Sequence, residues 1–181
     1  MKLSKLILLL ALILLSAVTA VAQTHFYLDE PFTHPAKIPN GLVPLLRDEI
    51  KQMCRGESVN QSTDVKSWFS ASKINLGRRR SAFILKSGKY CLTGVDNDWF
   101  WIFLRTGRGY RLVLTGGTIS LDVLKSTTRG LRDIETNAAT AQTNYTNVYK
   151  FDGARYKARI CSETAFFPTG QKPKRVPCRT Q

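Results

Sequence analysis

Three consecutive arginines, Arg78-Arg79-Arg80, follow Gly77, and Arg105, Arg108 and Arg111 recur a short way further along the chain. A guanidinium presents its N–H groups as a planar fork that matches the two oxygens of a carboxylate or phosphate, so such a cluster is suited to holding anions. Tyr110, between Arg108 and Arg111, adds contact area that loses little side-chain entropy on binding. Lys172, Lys174 and Arg175 near the C-terminus extend the same chemistry.

Groups able to break bonds are sparser. Histidine is the usual proton shuttle, and both histidines, His25 and His34, fall in a Pro-interrupted N-terminal stretch. Asp96, Asp98, Asp133 or Glu135 has the chemistry of a general base, with Arg129 or Arg132 to steady an anionic transition state. Acids of this kind equally cap turns and pair with surface arginines. GxSxG, HExxH, phosphate-loop, CxxC and CxxH patterns do not occur. The sequence therefore names no catalytic residue, no metal-ligand set and no cofactor, and the chain reads as non-enzymatic.

Where such a surface acts follows from residues 1–22. Lys2 and Lys5 precede an apolar run from Leu6 to Leu15, and Ala20-Val21-Ala22 supplies the small residues of a cleavage site before Gln23. The run is about ten residues, half of the roughly 20 that a spanning helix needs. This predicts a signal peptide and a secreted or periplasmic mature protein with no membrane span after cleavage. Losing Lys2 and Lys5 takes the 27 basic residues to 25 against 13 acidic ones, a formal charge of +12. Such a field attracts acidic proteins, anionic envelope polymers, nucleic acid and anionic lipid headgroups alike, and it also keeps a secreted protein soluble with no partner at all. Four cysteines in an exported chain, Cys54, Cys91, Cys161 and Cys178, favour two disulfides over free thiols. Of the three pairings possible, Cys54 with Cys91 and Cys161 with Cys178 is preferred. Each bridge then stays within its own half of the chain, and the second closes a short Pro-containing tail.

The elements that must position these residues can be read in order. Residues 23–39, with Pro31, Pro35 and Pro39, form an extended arm. From Asn40 to Arg55, Leu42, Leu45, Leu46, Ile50 and Met53 recur at helical spacing, with Pro44 in the first turn and Gly56 as a stop. After a polar loop, short strands follow: one holding Trp68, Phe69 and Ile74, one over Ala82 to Lys86, a turn at Ser87-Gly88 and a return over Lys89 to Thr93. Trp99 to Leu104 is apolar at every position, which predicts a central strand covered on both faces. Thr106 to Gly109 turns into Tyr110 to Leu114, and Gly116-Gly117 turns again into Ile119 to Leu124. A loop at Ser126 to Gly130, a strand at Leu131 to Glu135 and a small-residue connection over Thr136 to Asn144 come next. Asp152-Gly153 then joins Val148 to Phe151 with Ala154 to Cys161 in a tight hairpin. Residues 164–181 form a basic, Pro-containing tail. The expected fold is α+β: a mostly antiparallel β-meander sheet of about six to eight strands with one packed N-terminal helix and two disulfides, in a single domain over residues 40–163.

Two stretches resemble known proteins. Leu131-Arg132-Asp133-Ile134 after Arg129-Gly130, followed by Tyr149-Lys150-Phe151-Asp152-Gly153-Ala154-Arg155-Tyr156, is similar to small secreted bacterial proteins of unassigned function, in which a GYxDI segment precedes a YxFDGxxY hairpin. The likeness covers mainly Trp68 to Cys161, and its turns and aromatics imply no catalytic residue. Ile74 to Leu85 faintly resembles the calcium loops of FG-GAP-type repeats, but arginines follow Gly77 where that loop needs carboxylates, and arginine does not ligate calcium. Asn60-Gln61-Ser62 and Asn144-Tyr145-Thr146 match the glycosylation sequon, which matters in a eukaryotic source.

The expectation is an exported binding module in which Arg78, Arg79, Arg80, Arg108, Arg111 and Tyr110 engage an acidic protein or an anionic envelope polymer, as an inhibitor or immunity-type factor. The alternatives are a small secreted hydrolase working through Asp and Arg, and nonspecific nucleic-acid binding that weakens steeply with salt.

Overall fold

A computed structural model describes residues 24–54, 64–77, 80–93, 97–167 and 170–178. The expected signal peptide, Arg78, Arg79, Asp96 and the sequon at Asn60 lie outside the described residues.

Among the described residues, ten strands are arranged in two antiparallel sheets: β1 (His25–Tyr27), β2 (Phe69–Asn75), β3 (Ser81–Ser87), β4 (Asp98–Thr106), β5 (Gly109–Thr118), β6 (Ser120–Thr128), β7 (Leu131–Ala139), β8 (Thr143–Phe151), β9 (Tyr156–Ala165) and β10 (Lys174–Arg175). The first sheet has the order β2-β3-β4-β5, and the second β1-β6-β7-β8-β9-β10. From β2 to β9 the chain is the meander expected, but it passes from one sheet to the other at Ile119, the single residue between β5 and β6. With the α-helix α1 (Val43–Met53) and disulfides Cys54–Cys91 and Cys161–Cys178, the fold is α+β.

Apolar clusters on both faces of the first sheet make three layers. Between the sheets, Ile84, Phe100, Ile102 and Leu104 meet Leu121, Val123, Ile134 and Phe151. On the opposite face, Leu42, Leu46 and Ile50 cover Phe83, Leu85, Trp101 and Phe103. Successive strand side chains point to opposite faces, so β4 sends Phe100, Ile102 and Leu104 to one core and Trp101 and Phe103 to the other. This is why Trp99 to Leu104 carries no polar position. Trp101 is fully buried, and its indole N–H donates to Glu49 of α1 at 2.8 Å.

Several boundaries differ from the sequence reading, each for a tertiary reason. Lys89 to Thr93 does not return as a strand. Tyr90–Leu92 is a 3-10 turn closed by Leu92 N–H on the Lys89 carbonyl at 2.8 Å. A strand would point Cys91 and Leu92 to opposite faces, whereas the turn lets Cys91 bond Cys54 and Leu92 join the core under the helix. Gly116-Gly117 lies inside β5 and does not turn the chain. Gly117 sits opposite Trp99 in register, and a Cβ there would lie 3.4 Å from the indole ring, so the missing side chain makes room for the tryptophan. Thr136 to Asn144 is not a connection but the end of β7, a short turn and the start of β8. These polar residues hold the ladder together through Thr146 Oγ1 donating to Asn137 Oδ1 at 2.8 Å.

The N-terminal arm is built into the body. β1 pairs with β6, and Phe26 and Leu28 enter the core between the sheets. At the other terminus β10 pairs with β9, and Cys178 is bonded to Cys161 of that strand. Among the described residues no helix is long and apolar enough to cross a membrane.

Candidate functional site

An antiparallel meander places alternate turns at the same end of its sheet. The β2–β3 and β4–β5 turns therefore share one end of the first sheet, and the β6–β7 and β8–β9 turns one end of the second. The two ends coincide. The Arg132 N–H donates to the Leu76 carbonyl at 2.8 Å, and a Cβ on Gly77 would stand 3.4 Å from the Gly130 carbonyl. Exposed Arg80, Arg105, Arg108, Arg111, Arg129 and Arg155 are thereby brought to one end of the molecule.

Little negative charge opposes them. In residues 73–77, 80–83, 104–112, 126–134 and 149–158, the described residues of this end, the acids are Asp133 and Asp152. Asp152 is consumed by its own turn: its Oδ1 accepts the N–H groups of Ala154 and Arg155, both at 2.8 Å, and Lys157 Nζ lies 3.1 Å from Oδ2. Those backbone bonds first, and the lysine second, hold its carboxyl well below the usual carboxylate range. The Asp152 carbonyl accepts from the guanidinium of Arg129, a residue in the left-handed region at φ 51°. Asp133 is only 2% exposed; Oδ2 accepts from Ser126 at 2.9 Å, while Oδ1 has no partner among the described residues. Beside it, Tyr156 donates its hydroxyl to the Arg132 carbonyl at 2.7 Å, and burial, then the Asp133 charge, push the phenol above the ordinary tyrosine range.

The carboxylates considered as general bases are not gathered into one site. Asp133 is sealed from solvent, Glu135 pairs across strands with Asp122, and Asp98 opens β4 at the opposite end beside Thr118. His25 Nδ1 lies 2.6 Å from Asp122 Oδ1 in the β1–β6 pair. Tyr110 is half-buried, with its ring 5.9 Å from that of Phe83 and against Gly41, so it helps to wall the helical layer. The end away from the arginines has a different character. Asp29, Glu30 and Asp98 surround Lys86, whose ammonium donates to the Leu28 and Glu30 carbonyls; burial lowers its pKa and those acids partly restore it. Among the described residues no group of His, Cys, Asp and Glu could hold a metal ion.

A cleft of about 810 Å³ opens beside the arginine-bearing end, between β5 and β9. Leu112, Val113, Leu114 and Thr115 line it from β5, Tyr149 from β8, Arg155 to Arg159 from the hairpin and β9, and Val176 to Cys178 from the tail. Two register slips aim side chains into it. Val148 faces Ile160 while Tyr149 faces Ala158, which leaves Arg159 as the extra residue of a β-bulge. Ile102 faces Leu114 while Phe103 faces Leu112, which leaves Val113 as the extra residue on β5. The sequence reading missed Arg155, Lys157 and Arg159. Their alternate spacing was visible in the sequence, but the bulge that sets the direction of Arg159 was not. The cleft itself depends on how two sheets meet and has no local signature.

Searches against protein-family models, curated proteins and solved structures find no match to this chain.

Proposed function

We propose that this protein is an exported, non-enzymatic binding module that presents its arginine-bearing end to an acidic protein or an anionic envelope polymer. The observation that carries the reading is the convergence of four turns, which sets Arg80, Arg105, Arg108, Arg111, Arg129 and Arg155 together while Asp152 is occupied within its own hairpin. Cations that outnumber the acids among them focus the field on one end and raise the local concentration of an anionic partner. Guanidinium forks add bidentate bonds to carboxylate or phosphate once contact is made. The two disulfides and the leader-like residues 1–22 support an extracellular setting.

The test is retention of oxidised, signal-free protein on immobilised polyglutamate and on its own envelope fraction, at about 50 and about 200 mM salt. Wild type is compared with a charge-reversed variant, Arg80→Glu with Arg108→Glu and Arg111→Glu, and with an alanine variant of Arg78, Arg79 and Arg80. The reading expects retention that the substitutions abolish, and an envelope partner that survives the higher salt. Retention unchanged by both variants overturns it. Equal retention on duplex DNA, lost at the higher salt, replaces it with nonspecific nucleic-acid binding.

A further inference from the structure

The cleft between β5 and β9 combines two chemistries that a polyanion does not need together. Its volume falls within the roughly 300–1,000 Å³ of small-molecule sites. Its floor is apolar: Val113, Leu114, Tyr149 and Tyr156 are each no more than 6% exposed and belong to the core between the sheets. Its rim is cationic. Arg155 and Arg159 are exposed, no acid lines the cleft, and among the described residues no carboxylate pairs with either arginine. Lys157, by contrast, is held by Asp152. One wall, Val176 and Pro177, is tied to β9 by the Cys161–Cys178 bond.

A polar anion would satisfy the rim and leave the apolar floor wet, and a neutral hydrocarbon would fill the floor and leave the guanidiniums without a partner. We propose that the cleft binds a single-chain amphiphile with an anionic head, a long-chain carboxylate being the simplest, with its chain against Leu114, Tyr149 and Ala158 and its head on Arg155 and Arg159. The carboxylate takes the guanidinium forks in charge-assisted bonds, and each buried methylene adds affinity by leaving water. The bulge at Arg159 serves this arrangement, because it turns a side chain from the regular alternation of β9 toward the mouth of the cleft.

The experiment is calorimetric titration of the oxidised, signal-free protein with dodecanoate and decanoate as monomers, with dodecyltrimethylammonium, and with phosphatidylglycerol vesicles. Dodecanoate is expected to bind saturably at one site, about tenfold tighter than decanoate for its two extra methylenes. Arg155→Ala with Arg159→Ala should weaken dodecanoate about tenfold. Ala158→Phe, which fills the cleft, should abolish binding, with circular dichroism to check its fold. If Ala158→Phe misfolds, the exposed arginine pair decides. The inference is overturned by no saturable binding of the monomeric carboxylate, by equal binding of the cationic amphiphile, by binding that the arginine substitutions leave unchanged, or by binding to vesicles alone. Its failure is distinct from failure of the polyanion reading, because Ala158→Phe leaves retention on polyglutamate intact.

Discussion

The backbone N–H of Arg132 donates to the carbonyl of Leu76 at 2.8 Å, joining β7 of one sheet to the chain as it leaves β2 of the other. The next residue, Gly77, lies at φ 90°, where a Cβ would meet the Gly130 carbonyl at 3.4 Å. Conformation and space both call for glycine there. Gly77→Ala is expected to cost about 1–2 kcal/mol, read as a lower urea midpoint at unchanged slope. Gly88→Ala is the control, since nothing lies within 4 Å of its Cβ position. Equal midpoints for the two variants would remove Gly77 from the junction between the sheets.

Glu49 carries the polar end of a fully buried tryptophan. Glu49→Ala leaves the Trp101 indole N–H without its acceptor, and an unpaired buried donor costs about 1–3 kcal/mol. Glu49→Gln keeps an acceptor and should recover most of that loss. Thermal denaturation of the two variants checks it; equal losses would mean that the charge of Glu49, and not its bond to Trp101, matters.

The two disulfides differ in what they hold. Cys54–Cys91 spans 37 residues and ties the end of α1 to the 3-10 turn before β4, whereas Cys161–Cys178 spans 17 and holds the tail on β9. Replacing either pair by serine should cost about 3–4 kcal/mol, slightly more for the longer loop. The distinguishing readout is proteolysis: trypsin should cut after Lys174 and Arg175 in the Cys161→Ser, Cys178→Ser variant well before it does so in the other. Cutting at equal rates would show that the short β10 pairing suffices to hold the tail.

Tyr156 gives a stability signature at alkaline pH. Its folded pKa is raised, so its contribution is fully present below the unfolded value near 10 and is lost as pH rises beyond it. Between about pH 9.5 and about pH 11 the denaturation midpoint of wild type should fall more steeply than that of Tyr156→Phe. Tyr156→Phe should start lower at neutral pH by about 1 kcal/mol, for the lost bond to the Arg132 carbonyl. Parallel pH curves would contradict the role given to this phenol.

What was legible in the sequence was local or periodic. Leu42, Leu46 and Ile50 mark a helix face, Trp99 to Leu104 marks a strand between two cores, and Asp152-Gly153 marks a hairpin; each is where expected. The preferred cysteine pairing is also the one found. What failed was decided by distant neighbours. Gly116-Gly117 carries a turn signal yet serves as space for Trp99, and the polar residues after Glu135 carry a loop signal yet form a hydrogen-bonded ladder. The passage between sheets at Ile119 has no signal of its own, so neither the division into two sheets nor the cleft between them could be foreseen. The gathering of arginines lies between these cases. It follows from the order of turns in a meander, and becomes visible once the strands are counted.

Charge is spread unevenly between the ends of the molecule: guanidiniums crowd the turns after β2, β4, β6 and β8 with few acids among them, whereas at the other end Asp29, Glu30 and Asp98 stand among the cations Lys86, Lys174 and Arg175. Such a body carries a permanent electric moment along its strands. Near a negatively charged surface it experiences a torque before it makes any contact, so a larger share of collisions arrive arginine end first than random tumbling would supply. The meander thus governs the angle of approach as well as the composition of the surface that arrives.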